Sequence, residues 1–89
     1  MLIILYIKYI KVNTKENHML CNRVKELRAR HGFSQSDLGS LVGVTRQTIG
    51  FIEKGEFSPS IALSLRLAKH LKVKVDELFW LEGEDEENE

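Results

Sequence analysis

In the stretch VGVTRQTIGFIEKG, residues 42 to 55, Arg46, Gln47 and Thr48 stand together just ahead of Ile49 and Ile52. Arg and Gln carry planar groups that make two hydrogen bonds at once, and Thr adds a hydroxyl. Three such side chains, gathered where the other face of the segment is apolar, suit recognition of a partner by its pattern of donors and acceptors. Catalytic and metal chemistry has less to work with. His18, His31 and His70 are scattered, no Cys or His spacing resembles a metal site, and no Gly-rich phosphate loop follows a strand. The expectation is a protein that is not an enzyme and that calls for no cofactor.

The elements that must position these residues are short helices. Leu20, Val24 and Leu27 recur at helical spacing and Gly32 supplies a stop, so a first helix runs from about Asn22 to His31, with His31 placed as a partner of the helix dipole. SQSD has the Ser-x-x-acid form of a capping box, so Ser34 opens a second helix whose inward face is Leu38, Leu41 and Val42 and whose end is Gly43. Only Val44 separates that Gly from Thr45, an N-cap for a third helix starting at Arg46. Two helices joined by so tight a turn must cross steeply. The GSLVG of residues 39 to 43 has GxxxG spacing without an apolar 20-residue context, which means close helix packing rather than a membrane dimer. Ser60 caps a fourth helix over Ile61 to Leu71, apolar on enough sides to be the central one. Asp76 is expected to cap a short fifth helix that contains Leu78 and Phe79 and can extend to Trp80. After residue 20 only Val73 and Val75 suggest a strand, too few to build a sheet.

Composition sets the outer limits. A chain of 89 residues makes one domain, buries only about 60% of its unfolded surface and has little room for a substrate cavity. The single Cys21 rules out an intrachain disulfide and, with no export signal, favours the cytoplasm. The formal net charge of zero hides a segregation: residues 1–18 carry three Lys and one Glu, residues 19–80 ten Lys/Arg and six Asp/Glu, and residues 81–89 six acids and no base, hence +2, +4 and −6. A basic folded part with an acidic end fits a nucleic-acid binder whose tail repels phosphate; a merely solvated end is the plainer account of the tail alone. The run MLIILYIKYIKV is too short and too interrupted by Lys8 and Lys11 to span a bilayer, and its β-branched and aromatic residues suit a strand. It is either sequence read from a start upstream of Met19 or a strand that pairs across a dimer. The chain therefore divides into an extension with a possible strand at 1–19, a helical domain at 20–81 and an acidic tail at 82–89.

The stretch SQSDLGSLVGVTRQTIGFIEKGEFSPS, with NRVKELRARHG before it and LAKHLKVKVDELF after it, resembles the lambda-repressor-like helix-turn-helix of bacterial and phage regulators, the Xre/Cro family, over about residues 20–80. Gln35 opens the second helix, Gly39 sits where two helices touch, Gly43 makes the turn, and Ile49 and Ile52 fill the core. The family usually has Ala at the position of Gly39. The resemblance implies an all-α fold, a compact five-helix domain, and sequence-specific binding of double-stranded DNA by a transcriptional regulator, most often a repressor, without a membrane or an evident small-molecule effector. A helix fits the major groove with its leading residues at the base edges, where Arg46 can take guanine O6 and N7 and Gln47 adenine N6 and N7. Phe51, four residues from Gln47, either meets a thymine methyl, as the matching family position often contacts bases, or packs on Phe57. Gln35 and Lys54 are expected at phosphates. Residues expected at the DNA are thus Gln35, Thr45, Arg46, Gln47, Thr48, Phe51 and Lys54. Arg28 and Glu53 flank buried faces and should pair, and the resemblance implies the same bridge. A homodimer on a pseudo-palindrome is expected, with Leu78, Phe79, Trp80 and Leu81 as its interface. The other function class that the residues allow is a protein-interaction module, such as an antitoxin-like partner, with DNA binding secondary.

Overall fold

A computed structural model describes residues 16–85. Along the chain run β1 (Glu16–Asn22), α1 (Val24–Arg30), α2 (Gln35–Val42), α3 (Arg46–Glu53), α4 (Ile61–Leu71), α5 (Val75–Leu78) and β2 (Phe79–Asp85). The five expected helices are all present. The MLIILYIKYIKV run lies outside the described residues, and the strand that is seen begins at Glu16.

Local chemistry explains each helix boundary. Ser34 Oγ accepts the Asp37 N–H at 2.9 Å while Asp37 Oδ2 accepts the Ser34 N–H at 2.9 Å, so two otherwise orphaned donors are satisfied reciprocally. The Ser34 N–H first, then the Ser34 hydroxyl, holds the Asp37 carboxyl below the usual carboxylate range. Gly43 ends α2 at φ 84°, a left-handed conformation that a residue with a Cβ adopts at a cost. Thr45 caps α3 through its hydroxyl, which accepts the Thr48 N–H at 3.1 Å, and Ser60 does the same for α4 at Leu63. α1 starts two residues later than expected because Asn22 is still in β1. Its Oδ1 accepts the Val24 N–H at 2.9 Å, and its amide donates to the Ile52 carbonyl at 3.0 Å, tying the strand to the last turn of α3.

The carboxyl end departs from expectation. α5 stops at Leu78 and is preceded by Lys74, whose N–H donates to Glu77 Oε1 at 2.9 Å; Asp76 lies inside the helix. Phe79 turns to extended backbone and begins β2, which pairs antiparallel with β1 from Asn22↔Phe79 through Leu20↔Leu81 to Glu16↔Asp85. This strand was hidden in the sequence because its alternating acids resemble a solvated tail, whereas the pairing depends on a partner more than fifty residues away. The two-stranded ribbon runs across both expected boundaries, 19/20 and 81/82.

The core is formed by Val24 and Leu27 of α1, Leu38 and Val42 of α2, Ile49 and Ile52 of α3, Leu63, Leu67, Ala68 and Leu71 of α4, and Leu78 of α5. Phe33, Val44, Val73, Val75 and Phe79 close its margin. Leu78 is fully buried and therefore cannot serve as a dimer contact, as its place in the expected interface required. Phe79 beside it packs on the same core. His31 Nε2–H donates to the Leu71 carbonyl at 2.9 Å, joining the ends of α1 and α4.

Candidate nucleic-acid interface

At the crossing of α2 and α3 the backbone of the turn, Val44 and Thr45, lies against Gly39. A Cβ there would stand 2.6 Å from the Val44 carbonyl oxygen, so an Ala at this position would require the turn to shift. The crossing brings the first turn of α2 beside the outer face of α3. Gln35, Arg46, Gln47, Gly50, Phe51 and Lys54 line one shallow surface hollow as a result. Five of the seven residues expected at the DNA are thus neighbours in space. Gly50 joins them without having been counted among them.

Arg46, Gln47 and Lys54 are exposed, and among the described residues no side-chain hydrogen bond or ion pair engages any of them. Within the described residues their donors are left open to a ligand. Thr45 and Thr48 are differently employed: their hydroxyls lie 3.0 Å apart, and Thr45 Oγ1 also holds the Thr48 N–H. They shape the head of α3, and Arg46 and Gln47 are left as its outward-reaching groups. Phe51 is 46% exposed, and Phe57 is exposed as well. The ring stack among the described residues joins His31 to Phe33, with centroids 5.7 Å apart, and does not involve Phe51 and Phe57.

Behind the hollow sits a polar knot. Arg28 Nε donates to Glu53 Oε2 at 2.6 Å, and Arg28 Nη1 donates to the Phe33 carbonyl at 3.0 Å. Gln35 Nε2 donates to the other Glu53 oxygen at 3.0 Å. The side chains of Arg28 and Glu53 are 14% and 5% exposed, so this ion pair is largely withdrawn from water. Sequence spacing placed Arg28 and Glu53 together. It did not reveal Gln35 as a third member, because that contact depends on how α2 crosses α3. One carboxylate therefore fixes α1, α2 and α3 relative to one another and aims the Gln35 amide. Arg23, by contrast, faces Glu26 at 3.3 Å on the surface, and its guanidinium is the first cause that holds the Glu26 carboxyl below its ordinary value.

Among the described residues no group of three or more His, Cys, Asp or Glu could hold a metal, and no helix is long and apolar enough to cross a membrane. The arrangement offers an exposed, hydrogen-bonding helix head flanked by a cation and a helix N-terminus.

The helix-turn-helix family model matches residues 24–78. The HTH-type transcriptional regulator YgzD of Bacillus subtilis (strain 168) is 55% identical over 64 residues, 72% of this chain and 97% of that protein. An HTH-type transcriptional regulator of Methanocaldococcus jannaschii is 42% identical over 64 residues, again 72% of this chain and 97% of the relative. Among solved structures, the restriction-modification controller protein C.AhdI from Aeromonas hydrophila superposes with a TM-score of 0.60 at 38% identity, covering 64% of this chain and 86% of that one. The P22 c2 repressor protein, solved in complex with a synthetic operator, gives 0.59 at 31% identity, covering 61% and 82%. Sequence match, helix order and the crossing of α2 with α3 agree, and the chain belongs to the helix-turn-helix family as a lambda-repressor-like, Xre-type regulator.

Proposed function

We propose that the chain is a sequence-specific binder of double-stranded DNA that represses transcription as a homodimer on a pseudo-palindromic operator. The observation that carries this reading is the hollow in which Gln35, Arg46, Gln47, Phe51 and Lys54 converge, with the donors of Arg46, Gln47 and Lys54 uncommitted among the described residues. α3 enters the major groove head first. Arg46 reads a guanine through O6 and N7, Gln47 reads an adenine through N6 and N7, and the exposed Phe51 ring meets a thymine methyl.

Lys54 and the first turn of α2 take the phosphates on either side. The Gln35 amide, already directed by Glu53, keeps a second N–H for a phosphate oxygen while the free N–H groups of that helix end face the same anion. One helix reads only a few base pairs, so useful selectivity calls for two half-sites about 34 Å apart. Repression is supported by the P22 c2 repressor among the structural neighbours.

Selection of bound duplexes from a random DNA pool with the purified chain tests the reading. The expected result is enrichment of one short motif, repeated with two-fold symmetry. A pool that shows no enriched motif after several rounds overturns sequence-specific binding, and an enriched motif without an inverted repeat overturns the dimeric operator.

A further inference from the structure

Gly50 is the one glycine of the chain without a reason inside it. Four of the others take positive φ, and Gly39 lies against the turn. Gly50 is an interior residue of α3, and a Cβ there would meet Gln35 Nε2 at 3.5 Å, an ordinary contact. Helix propensity disfavours glycine at such a place, so the fold alone would be better served by Ala. Position 50 lines the hollow, with Arg46 one turn before it and Lys54 one turn after, and the neighbouring Phe51 ring is 46% exposed. The missing side chain therefore opens a gap in the middle of the surface that α3 presents.

What enters the gap is set by what borders it. The Gly50 carbonyl accepts the Lys54 N–H at 3.1 Å, and the Gly50 N–H belongs to the helix ladder, so the backbone there has no donor to spare for a phosphate or a base edge. The Gly50 Cα gives the gap an apolar floor, and the Phe51 ring stands beside it. Gln35 borders the α2 side, where its amide turns to Glu53. Among the groups that B-DNA shows in its major groove, the apolar one is the methyl on C5 of thymine. A cytosine methylated at C5 presents the same methyl. One helical turn, about 5.4 Å, separates Gly50 from Arg46, which is one to two base steps of about 3.4 Å. The methyl that reaches Gly50 therefore belongs to a pyrimidine close to the guanine at Arg46.

We propose that Gly50 and Phe51 seat the 5-methyl group of a pyrimidine within about two base pairs of the guanine at Arg46, so that DNA binding responds to cytosine methylation. At that position thymine is bound in preference to uracil, and 5-methylcytosine in preference to cytosine. The inference rests on the DNA-binding reading above and adds to it the chemical state of the operator. A ring on a filled helix surface would touch such a methyl from one side and leave the rest in water. The gap at Gly50 encloses it from a second side, which is what turns contact into burial.

Titration of the full chain with the selected duplex and its single-base analogues tests this. Uracil for thymine, and 5-methylcytosine for cytosine, change one methyl and keep the base pairing. At one position per half-site, close to the guanine whose preference Arg46→Ala relaxes, each methylated member of these pairs should bind about four-fold tighter than its unmethylated counterpart. Gly50→Ala places a methyl of its own in the gap, so the ratio should fall to about one in a variant whose circular dichroism and urea midpoint show an intact fold. Phe51→Ala, which removes the ring beside the gap, should lower the ratio too. No methyl preference near that guanine, or a ratio that survives in both variants, overturns the proposal. So does a loss in Gly50→Ala that is equal for methylated and unmethylated duplexes, since it would give the gap to the sugar–phosphate strand. Sequence-selective binding that is indifferent to the methyl sinks the seat and leaves the proposed function standing; a chain that enriches no motif sinks both.

Discussion

Glu53 is the residue through which the core helices and the hollow are joined, since its two oxygens take Arg28 from α1 and Gln35 from α2. Arg28→Ala would leave a carboxylate that is 5% exposed with only a neutral amide donor, and such a stranded charge costs about 3 to 5 kcal/mol. Urea unfolding of the variant should show a loss in that range, and a loss under 1 kcal/mol would mean that water reaches Glu53 freely. Under the proposed function the outward residues separate by the kind of contact each makes with DNA. Arg46→Ala should weaken binding to the selected duplex by about 1 to 3 kcal/mol and relax preference at one position per half-site. Lys54→Ala should weaken binding to every sequence alike and lower the salt slope by about one counterion. Titrations of both variants against matched and scrambled duplexes at several salt concentrations distinguish these roles; a sequence-dependent loss at Lys54, or unchanged selectivity at Arg46, would exchange or remove them.

At the scale of elements, the two glycines of the helix-turn-helix are not equivalent. A Cβ on Gly50 would meet only Gln35 Nε2 at 3.5 Å, an ordinary contact, so Gly50→Ala should stabilise the domain by about 0.5 to 1 kcal/mol through helix propensity. Gly39→Ala should bring no such gain, because its Cβ would press on the Val44 carbonyl of the turn at 2.6 Å. Urea midpoints of the two variants beside the parent test the contrast, and an equal gain in both would show that the turn yields. What could be read in advance follows the same division. Ser34, Thr45 and Ser60 announce their helices because capping is a contact between residues three apart, and α4 has the bounds that its pattern indicates. The hollow was legible residue by residue, through spacing and family resemblance. The Gln35–Glu53 bond, the Asn22 tie to Ile52 and the whole of β2 were not, since each depends on distant segments meeting. The apolar pattern of α4 points to more enclosure than Ile61 and Leu65 have, because apolar periodicity reports which faces are greasy and not which of them the chain covers.

For the molecule as a whole, charge is distributed so that a basic folded part is followed by an acidic end. Removing Glu86 to Glu89 deletes three carboxylates and moves the formal net charge from +0 to +3. Those residues lie outside the described residues, and their charge acts on DNA through the field it adds to the chain. If the tail competes with phosphate for the basic surface, the shortened chain should bind random-sequence DNA more tightly at low salt. The advantage should fade as salt rises, since the Debye length falls from about 10 Å at 0.1 M to about 3 Å at 1 M. Its ratio of specific to non-specific affinity should stay as it is in the full chain, because added positive charge favours every duplex equally while Arg46 and Gln47 contribute as before. Fluorescence titrations of both chain lengths with matched and random duplexes from low to high salt measure both quantities. Equal non-specific affinity at the lowest salt would reduce the acidic end to a solvating tail and leave discrimination entirely to the groups in the hollow.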